Sequence, residues 1–394
     1  MVTISTAENA LKTLYLGVVS DQLNTKVNPL LAKIKQKTSD VWGKEVRKLV
    51  PYGANGGIGA GTEDGNLPSA AGNNYQQFCL TLKNLYGTIE LSDKAIRASA
   101  NNSGAFVNLL NAEMEGLIKA SKFNFGRMLF GDGSGKLATV KSVSGNVVVL
   151  DGIANVIEGM VVDFLTPANS TYSPVSGACG RRIVSVDRAN KKITVDGAAI
   201  SANTIAANDI VTVQGSFNKE LTGLGAIFGN SATLYGINRA NNLWLTPKSV
   251  AATDGKIDDS TIQKVVDELE DVAGSTANFI VCNSGVRRAY QNYLTAKRTN
   301  VDTLNLEGGF KAISFGGIPV VTDRFCPSGK MYVLNTDEFA LHQLCDWRWL
   351  EGDDGKVLKQ TAGKPVYTAT LVKYADLLCE KPIGQGVITG ITEA

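Results

Sequence analysis

Apolar positions along the first third of the chain change period twice. In ALKTLYLGVVSDQLN the residues Leu11, Leu14, Tyr15, Val18 and Val19 share one helical stripe, and Ser5 with Glu8 has the S-x-x-E spacing that starts a helix. Pro29 interrupts the stripe, and a second short helix is predicted around Leu30 to Gln36. Val46 to Tyr52 and Tyr75 to Leu91 alternate as strands do. Between them, Gly53 to Asn74 is Gly, Asn, Ala and Ser with almost no large apolar group, so it cannot fill a core. Two strands running into so long a tip predict a protruding hairpin, and loops of that length are functional or disordered. Ser103 to Phe130 then returns to helical spacing without a proline, through Phe106, Leu109, Leu110, Met114, Leu117, Ser121, Phe125 and Met128. At about 1.5 Å per residue this helix would run roughly 40 Å, a spine for an elongated domain.

GDGSG at Gly131 to Gly135 ends the helix, and the pattern changes again. Short Val/Ile strands separated by Gly, Asn and Asp turns fill Leu137 to Gly215, which reads as an inserted small sandwich or barrel. Glu220 to Leu245 is mixed loop and strand. A helix over Ser260 to Val272, a strand over Ala277 to Cys282 and a helix over Ser284 to Arg298 follow. In FGGIPVVTDRFCPSGKMYVLNTDEF two Val-rich strands, of the kind covered on both faces, flank a Cys-Pro-Ser-Gly link. Trp347 to Leu350 is predicted to pair with Lys356 to Gln360 across GDDG, with Trp347 and Trp349 on one face. Val366 to Tyr374 and Gly386 to Ile391 are the last strands.

With 394 residues the chain exceeds one core, and 44% hydrophobic with 19% charged residues suits a folded protein. A net charge of +2 argues against a strongly basic nucleic-acid face and leaves room only for weak, distributed contact with a polyanion. The six cysteines are widely spaced without a C-x-x-C pair, and they read as reduced thiols of a cytosolic protein. The first residues lack the basic and apolar regions of a signal peptide, and no run of 18 apolar residues predicts a membrane helix.

Candidate chemistry is sparse. His342, the only histidine, sits in the strand-like FALHQLC, where it reads as a packed or surface residue; its H-x-x-C spacing to Cys345 lacks the tight ligand pairs of a zinc site. The glycines of GGIGAGTEDG fit no G-x-G-x-x-G, and GDGSGK follows a helix instead of preceding one, so both are turns. The carboxylates from Asp259 to Asp271 spread around a helix, and Arg287, Arg288, Lys297 and Arg298 on the next helix are their candidate partners, within the chain or across subunits. No catalytic, cofactor or metal residue is predicted, and no cofactor.

The order of these parts resembles that of the major capsid proteins of tailed bacteriophages, with the Hong Kong 97-like fold. FVNLLNAEMEGLIKASKFNFGRMLFGDGSG is similar to the spine helix of one branch of that family. TLYGINRANNLWL, FGGIPVVTDRFCPSGKMYVLN and TLVKYADLLCEKPIGQGVITG are similar to its later blocks. The resemblance covers most of the chain outside about 137–215. It implies an α+β fold divided as N-terminal arm (1–43), extended hairpin loop (44–92), spine helix and peripheral domain (93–136), inserted β domain (137–215), return of the peripheral domain (216–257) and axial domain with terminal peripheral strands (258–394). It implies a non-enzymatic subunit of an icosahedral head, built from pentamers and hexamers of itself. It also implies a virion location after assembly in the host cytoplasm, packaged double-stranded DNA held without sequence readout, a portal, and a separate scaffolding protein or none, with a decoration protein as a further partner. Gly53, Asn55, Glu63, Asp64, Leu67, Pro68, Asn73 and Tyr75 of the hairpin, with Arg287 and Arg288, are then the candidate interface residues. Two other readings stay open: an encapsulin-type cellular shell, which cargo protein in place of DNA would favour, and a glycan-binding surface protein, which monomeric behaviour would favour.

Overall fold

The computed structural model describes residues 28–41, 43–94, 103–168, 171–200, 204–297, 303–305, 311–352 and 355–394. The predicted arm helix between Ser5 and Asn24 lies outside them. Helix α1 (Pro29–Lys33) is capped by Asn28, whose side chain accepts from the Leu31 amide at 3.3 Å. It ends earlier than its spacing predicts, because Ile34 turns extended and β1 (Lys35–Lys37) joins a sheet. Next come β2 (Glu45–Pro51), β3 (Tyr75–Thr81), β4 (Lys83–Ser92) and the long helix α2 (Ser103–Phe130). Of the predicted stripe on α2, Met114, Phe125 and Met128 are buried and Leu117 and Ser121 half-buried.

Seven strands follow: β5 (Lys136–Ser144), β6 (Val147–Leu150), β7 (Val161–Ala168), β8 (Thr171–Pro174), β9 (Arg181–Asp187), β10 (Lys192–Val195) and β11 (Ile210–Val213). They pair in the order β11-β5-β6-β10-β9-β7-β8, and β11 also pairs with β7, so six of them close into a barrel with β8 added outside. Its interior is a separate apolar cluster that includes Val140, Val148, Phe164, Ile193 and Val211. Closure removes the edges of those six strands, which would otherwise invite pairing with another chain.

The chain then passes a helical turn at Leu224–Ile227 and the hairpin β12 (Thr233–Leu234) and β13 (Ile237–Asn238), then β14 (Lys248–Ala251), α3 (Asp259–Ala273), β15 (Phe279–Cys282) and α4 (Ser284–Ala296). The remaining strands are β16 (Thr303–Asn305), β17 (Lys311–Phe315), β18 (Ile318–Thr322), β19 (Met331–Leu334), β20 (Phe339–Trp349), β21 (Lys359–Gln360), β22 (Val366–Cys379) and β23 (Gly386–Thr389). Helix α3 is stopped by Gly274 in the left-handed region (φ 56°) and started by the Asp258 side chain, which accepts from Thr261 N at 2.7 Å.

Two sheets organise this half. One runs β14-β23-β19-β15-β18-β17-β16, with α3 and α4 sharing an apolar cluster with it. The Val-rich β18 and β19 do not pair with each other; each lies against β15, one parallel and one antiparallel. The Cys-Pro-Ser-Gly link therefore crosses over β15 instead of turning a hairpin. The other sheet runs β1-β20-β22-β21, with β4 also paired to β22 over Val366↔Ser92 to Ala375↔Lys83. Helix α2 lies close on it: a Cβ at Gly87 of β4 would stand 2.8 Å from Leu117 Cδ1.

One predicted pairing is corrected. Trp349 lies opposite Leu371 of β22, and Lys359–Gln360 pairs with Thr368 and Tyr367 of the same strand, so the two segments flanking GDDG do not face each other. A short-range turn signal lost to the long β22, which offers a continuous ladder and burial. Trp347 and Trp349 are both buried, and Trp347 meets Phe125 edge-on at 6.0 Å.

Candidate assembly interface

Strands β2 and β3 form a two-stranded ribbon from Glu45↔Thr81 to Pro51↔Tyr75. One face buries Val46, Val50, Phe78 and Leu80 against the main core, while Leu49 and Tyr75 of the ribbon are exposed. An aromatic ladder holds the base. Tyr52 stacks on Trp244 at 5.2 Å, Trp244 on Phe78 at 5.8 Å, and Phe78 meets Tyr235 at 5.3 Å. Such pairs add about 0.5–1.5 kcal/mol each beyond burial.

Tyr235 ties three elements together. It and Gly236 have φ of 50° and 82°, the all-positive geometry of a two-residue turn between β12 and β13. An aromatic residue is uncommon there. Its hydroxyl accepts from Cys379 N at 3.0 Å and donates to Leu377 O at 3.2 Å, and its own carbonyl accepts from Cys79 N of β3 at 3.0 Å. Tyr235→Phe would leave a buried N–H and a buried carbonyl unpaired, so it should lower stability by about 1–3 kcal/mol in chemical denaturation. A loss within about 0.5 kcal/mol would show that neither bond matters.

Beyond Tyr52 the hairpin leaves the body. Gly53 adopts φ 71°, and Asn55 bridges the two sides through Asn73 Oδ1 at 3.0 Å. The Asn55 side chain also accepts from Gly57 N at 2.9 Å, and Asn73 donates to the Tyr75 hydroxyl at 3.2 Å. At the far end Gly65 N closes a turn on Thr62 O at 3.1 Å, with Glu63 and Asp64 exposed inside it. Ile58 is 82% and Leu67 90% exposed, and Pro68 is exposed beside Gly59. The tip thus has local polar bonds, and among the described residues none covers its apolar Ile58 and Leu67.

Arg287 and Arg288 lie elsewhere, on α4. Arg288 Nε donates to Ala394 O at 2.6 Å, and Glu393 of the same terminal stretch accepts from Asn283 and from Gly329 N. Within the chain, three α3 carboxylates have other partners: Asp259 accepts from the Tyr290 hydroxyl at 2.7 Å, Asp267 from Gln263, and Glu268 pairs with Lys248, while Arg298 lies outside the described residues. The eight hairpin candidates therefore cluster, and the two arginines do not join them.

Three charged groupings were not legible in the sequence. Arg127 at the end of α2 makes a buried, two-pronged pair with Glu220, at 2.8 and 2.5 Å, and also donates to Asn124 at 2.6 Å. Lys373 of β22 is wholly buried; it donates to Asp346 at 2.8 Å and lies over the rings of Phe125 and Trp347. Burial pushes its ammonium below the usual lysine range, with Asp346 opposing. Lys37 of β1 and Lys48 of β2 both pair with Oε1 of Glu380, tying arm strand, ribbon and sheet together. All six cysteines are unpaired.

The family model described as SU10 major capsid protein matches residues 189–357. In fold the chain is similar to a subunit of the cyanophage A-1(L) capsid asymmetric unit, with 14% identity, 92% of each chain covered and a TM-score of 0.56. The fold is that of tailed-phage major capsid proteins. Two further likenesses are the holo-SrpI encapsulin complex of Synechococcus elongatus PCC 7942 (10% identity, 95% of each chain, TM-score 0.47) and Mycobacterium phage Bobi (9% identity, 99% of this chain and 98% of that one, TM-score 0.46). No curated protein sequence matches the chain. The family match spans less than half of the chain, and the likeness to the cyanophage subunit shows an α+β fold of the Hong Kong 97-like capsid type.

Proposed function

We propose that this capsid-fold chain is the head-forming subunit of a tailed phage, assembling into the pentamers and hexamers of an icosahedral shell around double-stranded DNA. The observation that carries the reading is the hairpin. It is held rigidly at its base and ends in exposed Leu67 and Ile58, an arrangement that leaves its burial to a second copy of the chain. Gly53, Asn55, Glu63, Asp64, Leu67, Pro68, Asn73 and Tyr75 form the contact surface in this proposal, and Arg287 and Arg288 serve the axial side. The division into arm (1–43), hairpin (44–92), spine (93–136), inserted barrel (137–215), peripheral return (216–257) and axial part (258–394) belongs to the same reading. The near-neutral net charge of +2 suits DNA held through weak, distributed backbone contacts without sequence readout. A separate scaffolding protein, a portal and a decoration protein are the further partners, with assembly in the host cytoplasm.

Negative-stain electron microscopy of the purified protein, with sedimentation across a salt series and with scaffold added, tests the proposal. Closed shells, or five- and six-membered rings, are the expected product. Monomer alone under every condition would overturn it, and shells loaded with cargo protein instead of DNA would shift the reading to a cellular compartment.

A further inference from the structure

His342 lies in β20, the strand that β1 extends at the sheet edge. Its ring is wholly buried, and among the described residues neither Nδ1 nor Nε2 has a hydrogen-bond partner. A neutral imidazole offers one donor and one acceptor, so both are left unmet, which is uncommon for a buried polar group. Its register neighbours are Lys37 on β1 and Asp376 on β22. Asp376 is already engaged by the Thr222 amide and hydroxyl, at 2.7 and 2.9 Å, and by Leu377 N. The charged groups acting on the ring are Lys48 from the ribbon, Lys37 from the arm strand, Asp40 just beyond it, and Glu380 at the end of β22. Lys37 and Lys48 share one oxygen of Glu380.

We propose that His342 is a proton-operated latch for the arm strand β1 and the ribbon β2–β3. Neutral, it lets two lysines from two elements dock on a single carboxylate. Protonated, it adds a third cation that Glu380 and Asp40 do not balance, and the arm strand and ribbon base lift away to let the charge reach water. Burial, then Lys48 and Lys37, hold the docked imidazole below its usual range, against weaker opposition from Asp40 and Glu380. The sign follows. A depressed value in the docked state means that docking is complete above the ordinary imidazole value of about 6.5 and weakens as pH falls below it. The undocking equilibrium then rises by up to about tenfold per pH unit until the docked value is reached. Asp376 and Asp323, both pushed up to about 6 by burial, and Glu338, also raised by burial, bind protons more tightly in the folded chain. Acid therefore stabilises through these carboxylates, and they cannot mimic the latch.

The test compares untagged wild type with His342→Asn by hydrogen exchange of residues 35–37 and 45–51 at pH 7.5 and pH 5.5, each pair read at the same pH so that intrinsic exchange cancels. Equal protection at pH 7.5 and a loss of up to about tenfold in wild type alone at pH 5.5 is expected. Equal protection in both proteins at pH 5.5 would overturn the latch. A second reading needs no variant: the single imidazole resonance of wild type, followed by NMR, should titrate with a midpoint below about 6.5, and a midpoint at or above that value would also overturn it.

Discussion

Replacing residues 53–74 with a two-residue Asn-Gly turn will leave the subunit folded and abolish normal shell formation. The fold should survive because the cut lies outside Tyr52 and Tyr75, and the Tyr52–Trp244–Phe78–Tyr235 ladder that pins the ribbon is untouched. The removed segment contributes little to its own subunit. Its internal bonds are a few local ones, and each such bond nets about 0.5–1.5 kcal/mol. Fixing its backbone costs about 1–2 kcal/mol per residue, which those bonds do not offset. Covering Leu67 and Ile58 on a neighbouring copy contributes about 1.5–3 kcal/mol for each side chain fully buried, and backbone pairing across the boundary has to supply the rest. Thermal unfolding of the free variant should match wild type, while electron microscopy shows no closed particles. Hydrogen exchange adds an independent check: the tip should exchange fast in free subunits and slowly in shells. Normal shells from the shortened chain, or equal exchange in both states, would remove the hairpin from the assembly mechanism.

The same hairpin shows where sequence reading works. Val46, Val50, Phe78 and Leu80 alternate because one face of the ribbon is buried, and the tip is legible because its composition cannot make a core. The spine helix and the closed barrel announce themselves for similar reasons: a sustained period, and short β-branched strands between turns. Strand β1 could not be read this way. Its sequence is Lys-Gln-Lys, and it is a strand only because the edge of β20 offers unpaired backbone groups. The GDDG pairing failed for a related reason, since local turn chemistry is weaker than a 14-residue partner strand. Among candidate residues, the hairpin set followed from what the segment lacks. The contact of Arg288 depended on which chain end reaches α4, and no spacing encodes that. For His342 the sequence told of a lone imidazole, packed or on the surface, but not that it is buried with both nitrogens unmet among the described residues.

Arg127 with Glu220 is the case where the hidden contact has the largest consequence. The two residues are 93 apart in sequence, and the whole barrel lies between them. Where the chain leaves for the barrel and returns, Asn218 N donates to Ser134 O at 3.0 Å, and Gly135 at φ 79° leaves no room for a side chain beside Ser216 O and Glu220. The ion pair therefore clamps the neck of the barrel onto the end of α2. Glu220→Ala should destabilise the subunit by about 3–5 kcal/mol, because it strands a buried guanidinium with Asn124 as its remaining named acceptor. Replacing both partners, as Arg127→Met with Glu220→Leu, removes the charge together with its counter-charge and should come within about 1 kcal/mol of wild type or exceed it. Chemical denaturation of the three proteins measures the difference, and exchange at the Asn218 amide localises it: protection there should fall in Glu220→Ala and recover in the double variant. If the double variant is as damaged as the single one, the stability of the neck comes from shape and backbone bonds rather than from paired charge. If Glu220→Ala costs less than about 1 kcal/mol, water already reaches the guanidinium, and the clamp is no stronger than a surface pair.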